Sequence, residues 1–175
     1  MKKIADFYLR FLLKNPKFNS ATPVDDQTLL VPDFFTKLQT CIAQYQQKYP
    51  NQGITFTETY RSNTLQLIHF NNGASKIKKN GMHHYGIAAD TIFIINNKRS
   101  YKGDVNFIRK IYKDNGLAIL GMWDSLHVQF ITVADQQLLR DTVSKAITQF
   151  QKENNLPQTG EANPQTIAMA KIKFP

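Results

Sequence analysis

The stretch "GMHHYGIAADTIFII", residues 81–95, constrains the fold more than any other part of the chain. It opens with two histidines between glycines and closes in Thr91-Ile92-Phe93-Ile94-Ile95, a run too apolar to be left in water. β-Branched and aromatic residues following a glycine turn read as a buried strand, so His83, His84 and Asp90 stand at the strand's entrance. Spacing alone leaves two readings open. A His and an Asp near a strand start are more often hydrogen-bonding loop residues; they are also two ligands of a metal site if a third donor exists elsewhere.

Around this strand the pattern is mixed. "PDFFTKLQTCIAQYQQKYP" predicts an amphipathic helix, with Phe34, Phe35, Leu38, Cys41, Ile42 and Tyr45 on one side and Pro50 as its stop. "GITFTETY" puts Ile54, Phe56, Glu58 and Tyr60 on one face of a strand, with Glu58 breaking the apolar row. "SNTLQLIHFNNG" predicts a short helix closed by Gly73, and "DVNFIRKIYKDNG" a second amphipathic helix from Asp104 to Gly116. "LAILGMW" and "LHVQFIT" are strand-like. Strands and helices interleave without strict alternation, which predicts an α+β fold rather than a doubly wound parallel sheet. His69 sits within a helical pattern between apolar neighbours, and His84 has no partner at a telling distance along the chain.

Cys41 is the only cysteine, so neither an intrachain disulfide nor a thiolate zinc cluster is available; it reads as a small buried hydrophobe. The net charge of +9 draws the protein towards polyanions without choosing among them. Without an aromatic-basic motif or a helix-turn-helix, nucleic acid is not the expected partner. Asp6 and Arg10 interrupt the apolar N-terminus and no small-x-small site follows, so "MKKIADFYLRFLLKNPKF" reads as part of the fold rather than an export signal. No stretch approaches the roughly eighteen apolar residues of a membrane span.

The third donor appears in "DSLH", where His127 follows Asp124 by three residues. "TYRS", Gln66, "GASK", "GMHHYGIAAD" and "WDSLHVQF", taken in order, resemble the zinc D-alanyl-D-alanine carboxypeptidase and L-alanyl-D-glutamate endopeptidase family of peptidoglycan peptidases. That family's signature is Ser-x-His-x-x-Gly-x-Ala-x-Asp followed by acidic-x-x-His. His83, Gly86, Ala88 and Asp90 fall in register, Asp124 and His127 complete the second part, and Gly81 stands in place of the serine. The resemblance spans residues 26–132 and implies a small antiparallel sheet flanked by helices, of the hedgehog and D,D-peptidase type. It makes His83, Asp90 and His127 zinc ligands, Asp124 the general base, and Arg61 the holder of a substrate carboxylate or oxyanion. The blocks between residues 61 and 76 lean towards the L-alanyl-D-glutamate branch. Peptidoglycan stem peptides are then the substrate and anionic wall polymers further partners, reached by non-classical export or phage-type release.

After residue 135 the composition changes. "QQLLRDTVSKAITQFQKENN" predicts a helix, "LPQTGEANP" a turn and "QTIAMAKIK" a last short helix. From residue 136 onward five Lys/Arg face three Asp/Glu, a net of +2, which leaves +7 on residues 1–135. Phe150, Gln151, Leu156, Thr159, Gly160 and Thr166 resemble the second half of a peptidoglycan-binding repeat. The expected division is therefore a zinc peptidase domain over 1–135 and a helical, partial wall-binding segment over 136–175. The competing reading is a zinc-containing wall-binding module without turnover; hedgehog signalling domains, which resemble the same family, show that such a site can persist in a protein whose job is binding. Asp124 and Arg61 together favour the enzyme, because metal binding alone needs neither.

Overall fold

The apolar run becomes strand β2 (Ala88–Ile95), the centre of a five-stranded antiparallel sheet in a computed structural model that describes residues Met1–Pro175. Strand β1 (Gln52–Glu58) pairs along one edge of β2, from Gln52 opposite Ile95 to Glu58 opposite Asp90. The other edge carries β3 (Lys98–Ser100) at the end of β2 and β5 (His127–Gln129) at its start, with β4 (Ala118–Ile119) outside β5. Asn96 and Asn97 join β2 to β3 with φ of 52° and 60°, the left-handed pair that a tight two-residue hairpin requires. The expected strand over "LAILGMW" shrinks to two residues, because Met122–Asp124 form a 3₁₀ turn instead.

Helix α2 (Pro32–Lys48) starts on a proline and buries Phe34, Leu38, Cys41 and Tyr45 at alternating spacings of four and three. It packs on β1 and on α4 (Val105–Asp114), whose first turn is capped by Asp104 accepting the Phe107 N–H at 3.0 Å. Burial pushes the Cys41 thiol up to about 11, as befits a small apolar filler. Helix α3 (Asn63–Asn71) is capped by the Ser62 hydroxyl on the Leu65 N–H.

The N-terminal stretch is built into the core. Helix α1 (Lys2–Phe7) runs on through a π-helical segment, Tyr8–Leu12, and together they bury Ile4, Ala5, Tyr8, Leu9 and Leu12. They pack against α5 (Gln136–Glu153), and Lys14 Nζ donates to the Phe174 carbonyl at 2.7 Å just after α6 (Pro164–Lys173). One contiguous cluster of 33 buried residues runs from Ile4 to Ala170, so residues 136–175 share the core of the rest. No helix is long and apolar enough to cross a membrane.

His84, without a partner in the linear pattern, sits in an aromatic cage. Its ring lies 5.3 to 5.9 Å from those of Phe18, Tyr8, Tyr85 and Tyr60. The Tyr8 hydroxyl donates to Nε2 at 2.8 Å, and Nδ1 lies 3.3 Å from the Tyr60 oxygen. Burial pushes its pKa down to about 4, so the folded state keeps the ring neutral. The unfolded chain protonates it near pH 6.5, so stability is complete above that pH and falls on acidification towards 4, by up to about 3 kcal/mol. Urea unfolding between pH 7 and pH 4.5 should show this loss, and His84→Gln, which cannot titrate there, should flatten the slope.

Candidate metal centre

The sheet register assembles the site. Asp90, in the central strand, is opposite Glu58 on one side and His127 on the other, so three polar residues from distant parts of the chain form one row. His83 joins this row from a 3₁₀ turn, Met82–Tyr85, just ahead of β2. Gly86 closes that turn with φ of 67°, and its carbonyl accepts from the Val31 N–H at 2.8 Å. A Cβ on Gly86 would lie 2.3 Å from the Leu29 carbonyl oxygen, so only glycine lets the turn pass there. At Gly81 a Cβ would meet Gln66 Oε1 at 3.0 Å, so the Gln66 amide fills the space beside this glycine.

Three donor atoms converge. His83 Nε2 lies 3.3 Å from His127 Nδ1 and 3.3 Å from Asp90 Oδ1, and His127 Nδ1 lies 2.9 Å from the same oxygen. With the imidazole nitrogens unprotonated, these three atoms are acceptors aimed at one point, an arrangement that suits a cation. A small ion about 2.0–2.1 Å from three tetrahedrally placed donors holds them roughly 3.3 Å apart, close to this triangle. The histidines are buried, Asp90 is partly so, and this cluster can hold a metal ion. Burial pushes the Asp90 carboxyl up, but the two imidazoles beside it outweigh that and hold it well below the usual carboxylate range. Burial lowers the His127 pKa, yet the Asp90 hydrogen bond and charge outweigh it and raise the ring overall.

Around the three donors the chain supplies orienting groups. Arg61 Nε donates to Glu58 Oε2 at 2.8 Å, its Nη2 also pairs with Glu58, and the same Nη2 reaches Asp90 Oδ2 at 3.3 Å. Glu58, which broke the apolar face of β1, is 5% exposed and exists as the partner of this arginine. Nη1 makes only a long 3.5 Å contact with Gln66 Oε1. Asp124 Oδ2 stands 3.9 Å from His127 Nδ1, and burial, helped by the Asp90 charge, raises its pKa above the ordinary value. A carboxylate with a raised pKa beside a cation site can take up a proton and return it.

His127 is held from behind. Its Nε2 lies 3.4 Å from Gln129 Oε1; a proton on Nε2 leaves Nδ1 as a lone pair facing the cluster. Gln129, 1% exposed, is itself held by Gln136 Nε2 at 3.3 Å, and Arg140 Nη2 reaches Gln136 Oε1 at 3.3 Å. Gln136 and Arg140 belong to α5, so the C-terminal segment supports a donor of the metal cluster. Nothing in the linear pattern pointed to Gln129 or Gln136, which are recognisable only by their neighbours in space; Glu58 stood out only as a charge in an apolar row.

A cavity of about 590 Å³ opens on the cluster, within the roughly 300–1,000 Å³ of small-ligand sites. Arg61, Gln66, Lys76, Asp124 and Gln136 supply polar walls, and Trp123 stands at its rim with 80% of its surface exposed, so it is no part of the core.

In the C-terminal segment Gln151 is fully buried and organises the turn after α5. Its Nε2 donates to Thr166 Oγ1 at 2.8 Å and to the Glu161 carbonyl at 3.0 Å, while Oε1 accepts from the N–H groups of Thr159 and Gly160. The residue pattern singled out in the sequence is thus one hydrogen-bonded unit. The peptidoglycan binding domain family matches residues 132–169, which span α5 and most of α6. No curated protein matches the chain. The family match supports peptidoglycan as a partner and is consistent with association with the cell wall.

Calorimetric titration should show uptake of one divalent transition-metal ion, lost in His83→Ala. Gln129→Leu, which leaves all three donors in place, should weaken that binding by about 10- to 100-fold, as expected when the group that orients a ligand is removed.

Proposed function

We propose that the protein is a zinc peptidase that hydrolyses peptide bonds in the stem peptides of peptidoglycan, of the L-alanyl-D-glutamate endopeptidase type. The observation that carries this reading is the convergence of His83 Nε2, Asp90 Oδ1 and His127 Nδ1 with Asp124 3.9 Å from the last of them, in a chain that also holds a wall-binding segment. Two imidazoles and one carboxylate are a donor set that zinc accepts with a position left over. Zinc held there supplies Lewis acidity, polarising a carbonyl and making water more acidic.

The chain's own residues do the rest. Asp124 accepts a proton from the attacking water and delivers it to the leaving amine as the peptide bond breaks, a role worth roughly 10²–10⁴-fold. Arg61 is largely spent on Glu58 and Asp90, which keeps Asp90 Oδ1 turned to the cluster; Nη1 is the part of the fork left for a substrate carboxylate or an oxyanion. Lys76 adds a second cation to the same cavity, which suits the carboxylates of a stem peptide. That commitment of Arg61 to its neighbours also supports the second reading, a zinc-containing wall-binding module without turnover.

Digestion of purified peptidoglycan with mass analysis of the fragments decides between them. The expected result is release of fragments with new L-alanine and D-glutamate termini, abolished by a chelator and restored by zinc. Asp124→Asn should keep its zinc and lose about 10²–10⁴-fold in rate. Intact wall in the presence of bound zinc would establish the binding module.

A further inference from the structure

Asp124, the group assigned to proton transfer, is not fixed by any bond of its own. Its carboxylate has no hydrogen-bond partner in the protein, and it stands 3.9 Å from His127 Nδ1. Its place is therefore set by the backbone that carries it, the connection over residues 120–126 between β4 and β5. Met122 and Trp123 leave the tip of that connection in solvent, and its internal bonding is thin. The Asp124 N–H donates to the Gly121 carbonyl at 3.1 Å, and the Trp123 indole lies back over Gly121, where a Cβ would meet Nε1 at 2.5 Å. An exposed turn bonded so sparsely opens readily unless something outside it holds it.

That outside support is Arg109. On α4 the residues Ile108, Ile111 and Tyr112 are buried, and Arg109 stands half-buried at the edge of their face. Its guanidinium spans the mouth of the β4–β5 connection: Nη2 donates to the Leu120 carbonyl at 2.6 Å and Nη1 to the Ser125 carbonyl at 3.0 Å. Arg109 pairs with no carboxylate, so its planar fork is committed to two backbone oxygens, one on each side of the turn. A lysine ammonium gathers its donors at one point and cannot bridge two carbonyls in this way.

The far end of the connection is held separately. The Leu126 carbonyl accepts from the Thr91 N–H at 3.1 Å and from the Thr91 hydroxyl at 2.9 Å. The Tyr112 hydroxyl, three residues beyond Arg109 on α4, donates to the Thr91 oxygen at 3.3 Å. Thr91 follows Asp90 and His127 follows Leu126, so these bonds secure two of the metal donors without Arg109. Arg109 secures what they do not reach, the span from Gly121 to Asp124.

We propose that Arg109 is the positioning residue of this site: by bridging the Leu120 and Ser125 carbonyls it holds the Gly121–Asp124 turn at the metal cavity, with the Asp124 carboxylate beside His127 and the Trp123 indole at the rim. The consequence for catalysis rests on the peptidase reading; the hold on the turn does not. Arg109 is not among the residues that line the cavity, so it acts through the turn and not on a substrate. Misplacing a proton-transfer group by about 1 Å can cost on the order of 10²-fold in rate.

Trp123 is the only tryptophan of the chain, so time-resolved fluorescence anisotropy reports on this turn directly, with or without zinc. In Arg109→Ala the indole should reorient faster, while calorimetric uptake of zinc keeps its wild-type affinity. On a soluble L-alanyl-D-glutamate stem peptide kcat should fall by about 10- to 100-fold. The same substitution in an Asp124→Asn background should cost nothing further, because Arg109 acts through Asp124. Arg109→Lys, which keeps the charge and most of the side chain, separates loss of the fork from loss of the fold: it should show the same faster motion and a kcat between those of the wild type and Arg109→Ala. Unchanged Trp123 motion, weakened zinc uptake, full restoration by lysine, or a loss that adds to that of Asp124→Asn would each overturn the proposal. Cleavage with kcat untouched in Arg109→Ala would overturn it and leave the peptidase reading in place. A wild-type protein that binds zinc and cuts no stem peptide would sink the peptidase, and faster Trp123 motion in Arg109→Ala would then still support the hold on the turn.

Discussion

Everything at the centre of this molecule hangs on the register of Asp90. In the middle strand it is opposite Glu58 and His127 at once, and its carboxylate meets His127, His83 and Arg61. A strand slipped by one residue would send Asp90 to the other face and break all of these contacts. The register is held by the apolar run that follows, because Phe93 is buried against Tyr45 of α2 and cannot change faces without losing that contact. Burial of an apolar strand thus sets the positions of three polar side chains.

The second organising relation is between the ends of the chain. Helix α1 packs on α5, Lys14 reaches the Phe174 carbonyl, and Arg10 lies over the Phe174 ring at 5.1 Å. The segment matched by the peptidoglycan binding domain therefore sits in a shared core and sends Gln136 towards Gln129, behind His127. The matched segment and the His83/Asp90/His127 cluster are thus joined by hydrogen bonds through Gln129 and Gln136.

Much of the fold was legible in the sequence, for reasons that can be named. Helix α2 announced itself by periodic apolar residues and a leading proline, α4 by its Asp104 cap, and β2 by an apolar run that tolerates no other environment. Strand β3 was missed because its residues, Lys98 to Ser100, are polar; the signal that would have found it is the Asn-Asn turn before it. "LAILGMW" was over-read as a strand because hydrophobic content there serves a two-residue strand and then an exposed rim, where Trp123 stands in solvent. His84 seemed unpartnered because Tyr8 and Tyr60, its two partners, lie 76 and 24 residues away.

The amino-acid sequence by itself determined which chemistry the chain could offer: His83 and Asp90 at a strand's entrance, Asp124 and His127 three apart, and the Phe150-to-Thr166 pattern that Gln151 ties together. Local spacing and residue type suffice for these, because each is a short-range relation along the backbone. Only the tertiary structure decided that the three donor atoms meet, that Arg61 is engaged by Glu58 and Asp90, and that α5 supports His127 from behind. Those are contacts between residues that strand pairing and core burial bring together from far apart, and no periodicity in a linear chain encodes which distant residue will be the neighbour.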